Sequence, residues 1–362
     1  MGVRSVGIVG GGQLARMLFQ ASLDLDLDVG FLVRPSDEGI LGVAKQVDVD
    51  LLGAEALIEF GTGFSVVTVE HELTPPESLR AAAESGVTLR PSAEMLAIAS
   101  NKLSQRAIFT SIGAKQPEFQ LLTKDSPDIG SLRYPVIAKA TSGGYDGRGV
   151  MNIANAQQLE QLPRTGEWMI EDLLEIDAEM AVITVTSVGG EVISYPPFRT
   201  IQEEGICIEV QWPCGFDPEI QAAATRIARE VALASGSIGV MATEFFIVEG
   251  EVVVNEIAPR VHNSGHLTIE AAETSQFENH LRAVAGMPLG STGMTAPAAM
   301  VNLLGTIKDL DDYVPPQGTR LHLYGKAPRP ARKVGHITAT GTTVAEASEL
   351  ANEARARLKA DD

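Results

Sequence analysis

The chain has little cysteine and an excess of negative charge. It holds only two cysteines, Cys207 and Cys214, without a second cysteine or a histidine at metal-ligand spacing. A disulfide-rich secreted scaffold and a cysteine-based zinc site are therefore excluded, and we expect a reduced, cytoplasmic setting. The formal net charge is −19. Nucleic acid and anionic membranes would repel such a chain, so we expect neither as a partner.

Long apolar runs are also missing. No stretch of eighteen apolar residues occurs, and the first residues lead into glycines rather than a signal-type cleavage site. We therefore expect neither export nor a membrane span. A length of 362 residues suits two or three domains, each with its own core. Because the chain is acidic, an anionic substrate needs a local cationic pocket, and the positions of lysine and arginine are informative.

The first residues predict a strand, a glycine turn and a helix. Residues 3–9 are apolar, Gly10, Gly11 and Gly12 follow, and residues 14–23 are amphipathic. A dinucleotide fingerprint also requires an acidic residue at the end of the second strand. Here the second strand, residues 28–33, ends in Arg34. This argues against NAD but leaves NADP or another phosphate ligand open, so an NAD(P)-dependent oxidoreductase is one alternative.

A further predicted strand, residues 65–69, ends in Glu70-His71-Glu72. Ligands of open α/β sheets bind at the carboxyl ends of strands, so these carboxylates are candidate ligand contacts. Two solvated glutamates before a helix are an equally supported interpretation. Strands and helices alternate up to residue 98, which predicts a small doubly wound α/β domain. Lys102 then opens a helix, where it either faces a ligand or is exposed.

The segment from Lys139 to Val150 is unusually rich in glycine. It follows an apolar run, residues 134–140, that predicts a buried strand. Glycines leave backbone amides bare, and Lys139 and Arg148 add positive charge, so the segment can close over an anion. We predict a flap over nucleotide phosphates; the alternative is a flexible hairpin with solvated charges. The glycines are Gly143, Gly144, Gly147 and Gly149.

Acidic residues lie at the end of one later predicted strand and at the start of the next. Residues 168–174 predict a strand that breaks into acids, and Glu179 opens the next strand. The backbone of such a strand edge can bind an adenine, while a carboxylate takes the ribose hydroxyls.

The most specific geometry is a predicted hairpin. Residues 241–248 and 252–257 are apolar strands around a turn at Gly250. Glu244 and Glu256 are each six residues from Gly250, so they should face each other on one side. Two like charges that face each other destabilise a hairpin unless an opposite charge neutralises them. A magnesium ion, which prefers oxygen ligands, would neutralise the two carboxylates. The alternative is that one glutamate turns to solvent.

Two clusters of basic residues follow. Arg260, His262, Asn263 and His266 lie in one loop, and the planar fork of Arg260 suits a small oxyanion. A loop does not impose helical facing, so the two histidines are not taken as zinc ligands. The second cluster is either solvated or a phosphate-binding edge. It consists of His322, Lys326, Arg329, Arg332 and Lys333.

Together these motifs resemble 5-(carboxyamino)imidazole ribonucleotide synthase, an ATP-grasp family of purine biosynthesis. The resemblance covers nearly the whole chain in order. It rests on residues 10–17, Lys139 with the flap, and residues 255–266, 274–282, 302–305 and 323–326. It implies an α/β chain with an ATP-grasp fold: an N-terminal domain over residues 1–98, an ATP-grasp domain over 99–296, and a small C-terminal domain over 297–362 that contributes to the ribonucleotide pocket.

The resemblance implies an activity and its ligands. These are the ATP- and magnesium-dependent carboxylation of 5-aminoimidazole ribonucleotide by bicarbonate, through carboxyphosphate, in a cytoplasmic homodimer. Another ATP-grasp ligase, a formyl-transferring relative and a nucleotide-sensing protein with an inactive core are the alternatives.

The resemblance also implies roles for individual residues. ATP would contact Lys102, Lys139, Gly144, Tyr145, Asp146, Gly147, Arg148, Gly149, Val150, Glu171, Asp172, Leu173, Leu174, Glu179, Asn255 and Glu256. Magnesium would be held by Glu244 and Glu256. The catalytic set would be Asp146, Arg260, His262, Asn263 and Lys326. The ribonucleotide would contact Glu70, Tyr145, Asp146, Arg148, Lys326, Arg332 and Lys333.

Two positions depart from the family pattern. Gln202 stands where the family has a histidine near ATP, and it can donate a hydrogen bond but cannot carry charge. Lys102 stands where arginine also occurs, which keeps the charge but loses the bidentate grip. Asp146 would either orient the substrate amine or accept its proton, and the residues do not choose between these roles.

Overall fold

The computed structural model describes residues 5–50, 52–123, 132–143, 149–163, 166–308, 310 and 313–358. Its first part is a parallel sheet in the order β3-β2-β1-β4 with helices packed against it, which confirms the predicted doubly wound arrangement. The strands are β1 (Ser5–Val9), β2 (Asp28–Val33), β3 (Gln46–Asp48) and β4 (Val66–Val69). The helices are α1 (Gln13–Asp24), α2 (Ala54–Gly61), α3 (Pro76–Glu84) and α4 (Ala93–Ala99). The short edge strand β3 was not predicted, because a three-residue strand carries no readable alternation.

The middle of the chain begins with helix α5 (Lys102–Ser111), whose start at Lys102 matches the prediction. A small antiparallel sheet follows in the order β5-β8-β6-β7, built from β5 (Phe119–Leu122), β6 (Val136–Ala140), β7 (Val150–Ile153) and β8 (Trp168–Asp172). Helix α6 (Ala156–Glu160) packs on it. The predicted flap connects β6 to β7. Its residues 144–148 lie outside the described residues.

The largest sheet runs through the rest of the chain. Its order is β14-β13-β9-β11-β12-β15-β17-β16, with β10 paired to β9. The strands are β9 (Ala178–Thr186), β10 (Val192–Ser194), β11 (Phe198–Glu203), β12 (Ile206–Trp212), β13 (Gly239–Val248), β14 (Glu251–Ala258), β15 (Ala298–Leu304), β16 (Thr319–Leu323) and β17 (Lys333–Thr340). Because β15 pairs with β12, the segment after residue 297 continues this sheet.

The large sheet is covered by helices α7 (Pro218–Ser235), α8 (Thr268–Ala271), α9 (Gln276–Val284) and α10 (Val344–Leu358). One hydrophobic core joins the N-terminal part to the large sheet, since Leu18 of α1 and Phe31 of β2 belong to the same buried cluster as Ile183 and Leu281. Burial of this shared surface fixes the two parts relative to each other. Throughout the described ranges, no helix is both long and apolar enough to cross a membrane.

Candidate active site

One large cavity, of about 1240 Å³, opens where the three parts of the chain meet. Its volume exceeds the usual range for a single small ligand, so it can hold two substrates side by side. Most of the described candidate residues line it, although they are far apart in sequence. They are Glu70, Lys102, Lys139, Val150, Glu179, Glu244, Asn255, Glu256, Arg260, His262, Asn263, Lys326, Arg332 and Lys333.

The two glutamates of the hairpin face each other as predicted. Glu244 of β13 pairs in direct register with Glu256 of β14. The predicted turn was wrong in detail, because it consists of Glu249 and Gly250, both with positive φ (51° and 77°). A bulge at Asn255 then restores the register, so two departures from a symmetric hairpin cancel.

The two facing carboxylates differ in their surroundings. Burial raises the pKa of Glu244 to about 8, and the charges of Glu256 and Glu179 add to the shift. Burial also opposes ionisation of Glu256, but Lys102, whose Nζ lies 2.8 Å from Oε2, and then Lys139 lower its pKa to about 2. The pair has the hard oxygen donors that magnesium prefers, and the unfavourable ionisation of Glu244 is what a divalent cation would relieve. These residues therefore fit a magnesium ion.

Lys139 and Glu171 form a buried charge network beneath the cavity. Lys139 Nζ lies 2.6 Å from Glu171 Oε2 and 3.2 Å from Asn255 Oδ1, and Arg106 Nε donates to Glu171 Oε1 at 3.0 Å. Burial lowers the pKa of Lys139, opposed by Glu171. Because two cations hold the Glu171 carboxylate, only its backbone remains to contact an adenine. In the described part of the chain, residues 171–174 do not line the cavity.

Arg106 is a residue that the sequence reasoning missed. It is 2% exposed on helix α5, one helical turn after Lys102. A spacing of four residues places two side chains on the same helix face, and this was the available signal. Arg106 also donates from Nη1 to the carbonyl of Asn255 at 2.8 Å. It therefore holds Glu171 and the bulge of β14 in place together.

Glu179 and Gln202 lie together at the cavity wall. Burial raises the pKa of Glu179 to about 7, and a hydrogen bond from Gln202 partly opposes the shift. Gln202, which the predicted set does not include, lines the cavity from β11. Its amide donates to the carboxylate that the resemblance assigns to the ribose, so the departure from histidine leaves this position with a polar contact.

The loop after β14 turns its polar side chains in two directions. Arg260 donates from Nη1 to the carbonyl of Val261 at 3.1 Å, and His262 Nε2 lies 3.6 Å from Glu244 Oε1. Asn263 exchanges two amide hydrogen bonds, of 3.0 and 2.8 Å, with Asn302 of β15. His266 is fully buried and packs against Phe277 instead. His262 therefore faces Glu244, whereas His266 faces the protein interior.

Glu70 has a defined partner at the start of helix α1. Its carboxylate accepts hydrogen bonds from the amides of Gly12, at 2.5 Å, and Ala15, at 2.9 Å. It is 5% exposed, so the alternative of a solvated glutamate was wrong. Gly10 permits this approach, because a Cβ there would lie 2.4 Å from Glu70 Cγ. Within the cavity Glu70 therefore also satisfies helix amides, which favour a negative charge.

The cationic segment near the C-terminus docks on the N-terminal part. Lys326 donates to the side chain of Gln13, and Arg332 Nη1 lies 2.8 Å from Glu38 Oε2. These contacts exclude the alternative of a solvated cluster for these two residues. His322 instead pairs with Glu270, at 2.6 Å, away from the cavity.

Glu270, His322 and His336 form a separate cluster with atoms close enough to suggest a metal site. The rings of His322 and His336 are stacked, with centroids 4.4 Å apart and planes 8° apart. Parallel rings cannot direct their in-plane lone pairs at one ion. Ligands of a tetrahedral zinc also lie roughly 3.3 Å apart, farther than the hydrogen-bonded Glu270 and His322. The cluster is therefore a hydrogen-bonded imidazole stack.

Three family models match successive segments of this chain. Residues 3–100 match the ribonucleotide synthetase preATP-grasp domain, 107–277 the ATP-grasp domain, and 298–350 the phosphoribosylaminoimidazole carboxylase C-terminal domain. N5-carboxyaminoimidazole ribonucleotide synthase of Mycobacterium tuberculosis is 36% identical over 370 residues, covering 96% of this chain and 86% of the relative. The chain belongs to the N5-carboxyaminoimidazole ribonucleotide synthase family. The resemblance drawn from its motifs is thereby confirmed.

Solved structures of synthases of this family agree with the fold. The enzyme of Thermus thermophilus is 37% identical, with a TM-score of 0.87 and 97% coverage of both chains. The Aspergillus clavatus synthase in complex with ADP and 5-aminoimidazole ribonucleotide is 30% identical, with a TM-score of 0.88 and coverage of 98% of this chain and 99% of that one. The ATP-grasp fold and an ATP-dependent ligase activity follow, and the oxidoreductase and the inactive nucleotide sensor are set aside.

Proposed function

We propose that the cavity carries out the carboxylation of 5-aminoimidazole ribonucleotide by bicarbonate at the expense of ATP. The observation that carries this proposal is the order of the side chains across the cavity. The facing pair Glu244 and Glu256 lies next to the loop of Arg260 and His262, and the cations Lys326 and Arg332 line the side against the N-terminal part. The synthase structure with both ADP and the ribonucleotide supports two such ligands.

The ATP end is the part of the cavity around β6, β9 and the hairpin. Lys102 and Lys139 place two ammonium groups beside Glu256 and Asn255, where they can hold phosphate oxygens. In this proposal Glu179 takes the ribose, and the adenine extends past the cavity lining to the backbone of residues 171–174. Magnesium held by Glu244 and Glu256 would neutralise charge on the β- and γ-phosphates. Gly149 and Val150 sit at the base of the flap, and residues 144–148, including Asp146, lie outside the described residues.

Arg260, His262 and Asn263 hold bicarbonate beside the γ-phosphate in this proposal. A bicarbonate oxygen attacks the γ-phosphorus, the bond to the ADP oxygen breaks, and carboxyphosphate forms. The carboxyl carbon then bonds to the exocyclic nitrogen of the ribonucleotide, the bond between that carbon and the phosphate oxygen breaks to release inorganic phosphate, and the amine passes one proton to solvent. Cations fixed around the transferring groups stabilise the negative charge that develops. Glu70, Lys326, Arg332 and Lys333 hold the ribonucleotide.

The state of the enzyme in the cell is part of the proposal. The family resemblance supports a homodimer, and the two free cysteines, Cys207 and Cys214, suit a reducing cytoplasm. Light scattering of the purified protein tests the homodimer. A molecular mass equal to that of one chain at micromolar concentration would contradict it.

A phosphate-release assay tests the reaction. The release of phosphate from ATP should require magnesium and bicarbonate, and its rate should rise sharply when 5-aminoimidazole ribonucleotide is added. Stimulation by formate or by glycinamide ribonucleotide instead would show a different ATP-grasp ligase.

The variant Glu256→Gln tests the hairpin within that assay. It should abolish turnover, because it removes one of two carboxylates that fit magnesium and leaves Lys102 without its partner. Circular dichroism should show an unchanged fold. The matched control is Glu251→Gln, a charge loss in the same strand at an exposed pair with Lys115. Loss of solubility in Glu256→Gln alone would indicate a structural role.

A further inference from the structure

Glu72 forms an ion pair across the cavity that the sequence did not reveal. Its Oε1 lies 2.9 Å from Nε of Arg260, and both side chains are largely buried, at 18% and 19% exposure. Glu72 belongs to the loop between β4 and α3, whereas Arg260 belongs to the loop after β14. The pair therefore joins the N-terminal part of the chain to the residues proposed to hold bicarbonate.

Both partners are presented by segments that other contacts hold. Two residues before Glu72, the carboxylate of Glu70 is fixed by the amides of Gly12 and Ala15. On the other side, Arg260 donates from Nη1 to the carbonyl of Val261 at 3.1 Å. The guanidinium is thus held by a hydrogen bond from Nη1 to the backbone and by the charge of Glu72 beside Nε, a contact that is an ion pair and does not have hydrogen-bond geometry.

The orientation of this plane matters for a small oxyanion. A guanidinium holds two oxygens only when its planar edge faces them, and the grip is lost when the plane rotates. We infer that Glu72 is a positioning residue that orients Arg260 for bicarbonate, an inference that rests on the proposed function.

A second role for Glu72 would have the opposite effect. Its carboxylate resembles bicarbonate in shape and charge, so it could instead be an internal competitor that leaves Arg260 when bicarbonate arrives. The position of Glu72 beside Nε, at the base of the guanidinium rather than at its outer edge, favours orientation. The Michaelis constant for bicarbonate separates the two, since it rises when an orienting group is lost and falls when a competitor is lost.

The experiment is a comparison of steady-state kinetics in carbonate-depleted buffer with bicarbonate, ATP and ribonucleotide varied in turn. For Glu72→Gln we expect the Michaelis constant for bicarbonate to rise about tenfold and that for ATP to change less than about twofold, because a charge-assisted contact at Arg260 is lost. Glu72→Asp keeps the charge on a shorter side chain and should restore part of the affinity for bicarbonate.

The matched control is Glu278→Gln. Glu278 pairs with Arg282 on helix α9, and both side chains are 27% exposed. The variant therefore loses the same charge as Glu72→Gln, from a comparable ion pair outside the cavity. It should leave the Michaelis constant for bicarbonate unchanged.

Three outcomes would overturn the inference while leaving the proposed function intact. The first is an unchanged Michaelis constant for bicarbonate in Glu72→Gln, and the second is a lower one. The third is a parallel rise of the Michaelis constants for all three substrates, together with a fall in melting temperature that Glu278→Gln does not show. A wild-type enzyme whose turnover ignores bicarbonate would instead refute the proposed function, and the inference with it.

Discussion

Glu171 shows how burial decides the role of a single residue. In the sequence it is the first acid after an apolar run and suits a ligand contact at a strand edge. In the structure it is 3% exposed, and Arg106 and Lys139 hold its two oxygens. A buried carboxylate requires such partners, because its charge is otherwise too costly to desolvate. Its side chain therefore organises the floor of the cavity.

His280 is a buried histidine with a structural role. The amide of Val240 donates to Nδ1 at 3.1 Å, so the proton of the neutral ring lies on Nε2, which donates to Thr68 Oγ1 at 2.9 Å. Burial lowers the pKa of His280 to about 4. The residue thus joins α9 to β13 and to β4 of the N-terminal part while it remains uncharged.

This lowered pKa predicts a dependence of stability on pH. Between pH 6.5 and about 4 the unfolded chain binds a proton that the folded chain does not, so stability falls as the pH is lowered through this window. His280 should lower the free energy of unfolding by about 3 kcal/mol at the acid end of this window. Urea unfolding at several pH values measures it.

One variant separates His280 from other groups that titrate in the same window. His280→Asn should be less stable than the wild type at pH 7 but should lose less further stability on acidification. Equal slopes in His280→Asn and the wild type would contradict the assignment.

The hairpin β13–β14 is the element on which the proposed chemistry depends most. Its register could be predicted from sequence because two apolar strands around a glycine leave few pairings. The bulge at Asn255 could not, since it depends on contacts from outside the hairpin. Arg106 donates to the carbonyl of Asn255, and Gln105 accepts from the amide of Ile257 at 3.0 Å. Helix α5 therefore completes a geometry that the hairpin does not specify alone.

The turn of this hairpin offers a test of its conformation. Glu249 is exposed and has a φ of 51°, which glutamate adopts at a cost and asparagine tolerates better. Glu249→Asn should stabilise the protein by about 0.5–1 kcal/mol, because Asn-Gly is a favoured pair for this turn. The midpoint of urea unfolding measures the change, and turnover should be unaffected. A lower midpoint would mean that the turn differs from the one described.

At the scale of the whole molecule, the cavity exists only where three distant segments meet. Lys326 lies next to Gln13, and Arg332 pairs with Glu38, so the end of the chain closes over its beginning. The shared core around Phe31 and Ile183 holds the same two parts together from behind. Charges on both sides of this junction are thereby fixed toward one another.

Removal of Lys326 should affect one substrate more than the other. Lys326→Ala should raise the Michaelis constant for the ribonucleotide by roughly tenfold, because in the proposed site it removes an ammonium group that would face an anionic ligand. The constant for ATP should change little. Arg320→Ala on the neighbouring strand β16 is the control, since it removes an exposed positive charge from the same segment. Equal effects on both substrates would place Lys326 outside the ribonucleotide end.

Four features could be predicted from the linear chain: the doubly wound start, the helix at Lys102, the facing of Glu244 and Glu256, and the family. These features depend on local periodicity, turn residues and the order of motifs, all of which are present in the linear chain. The partners of the charged side chains emerged from the folded chain alone: Glu171 with Arg106, Glu72 with Arg260, Glu70 with the amides of α1, and Arg332 with Glu38. The physical reason is that such pairs form across large sequence separations, where burial strengthens an interaction that no local pattern encodes.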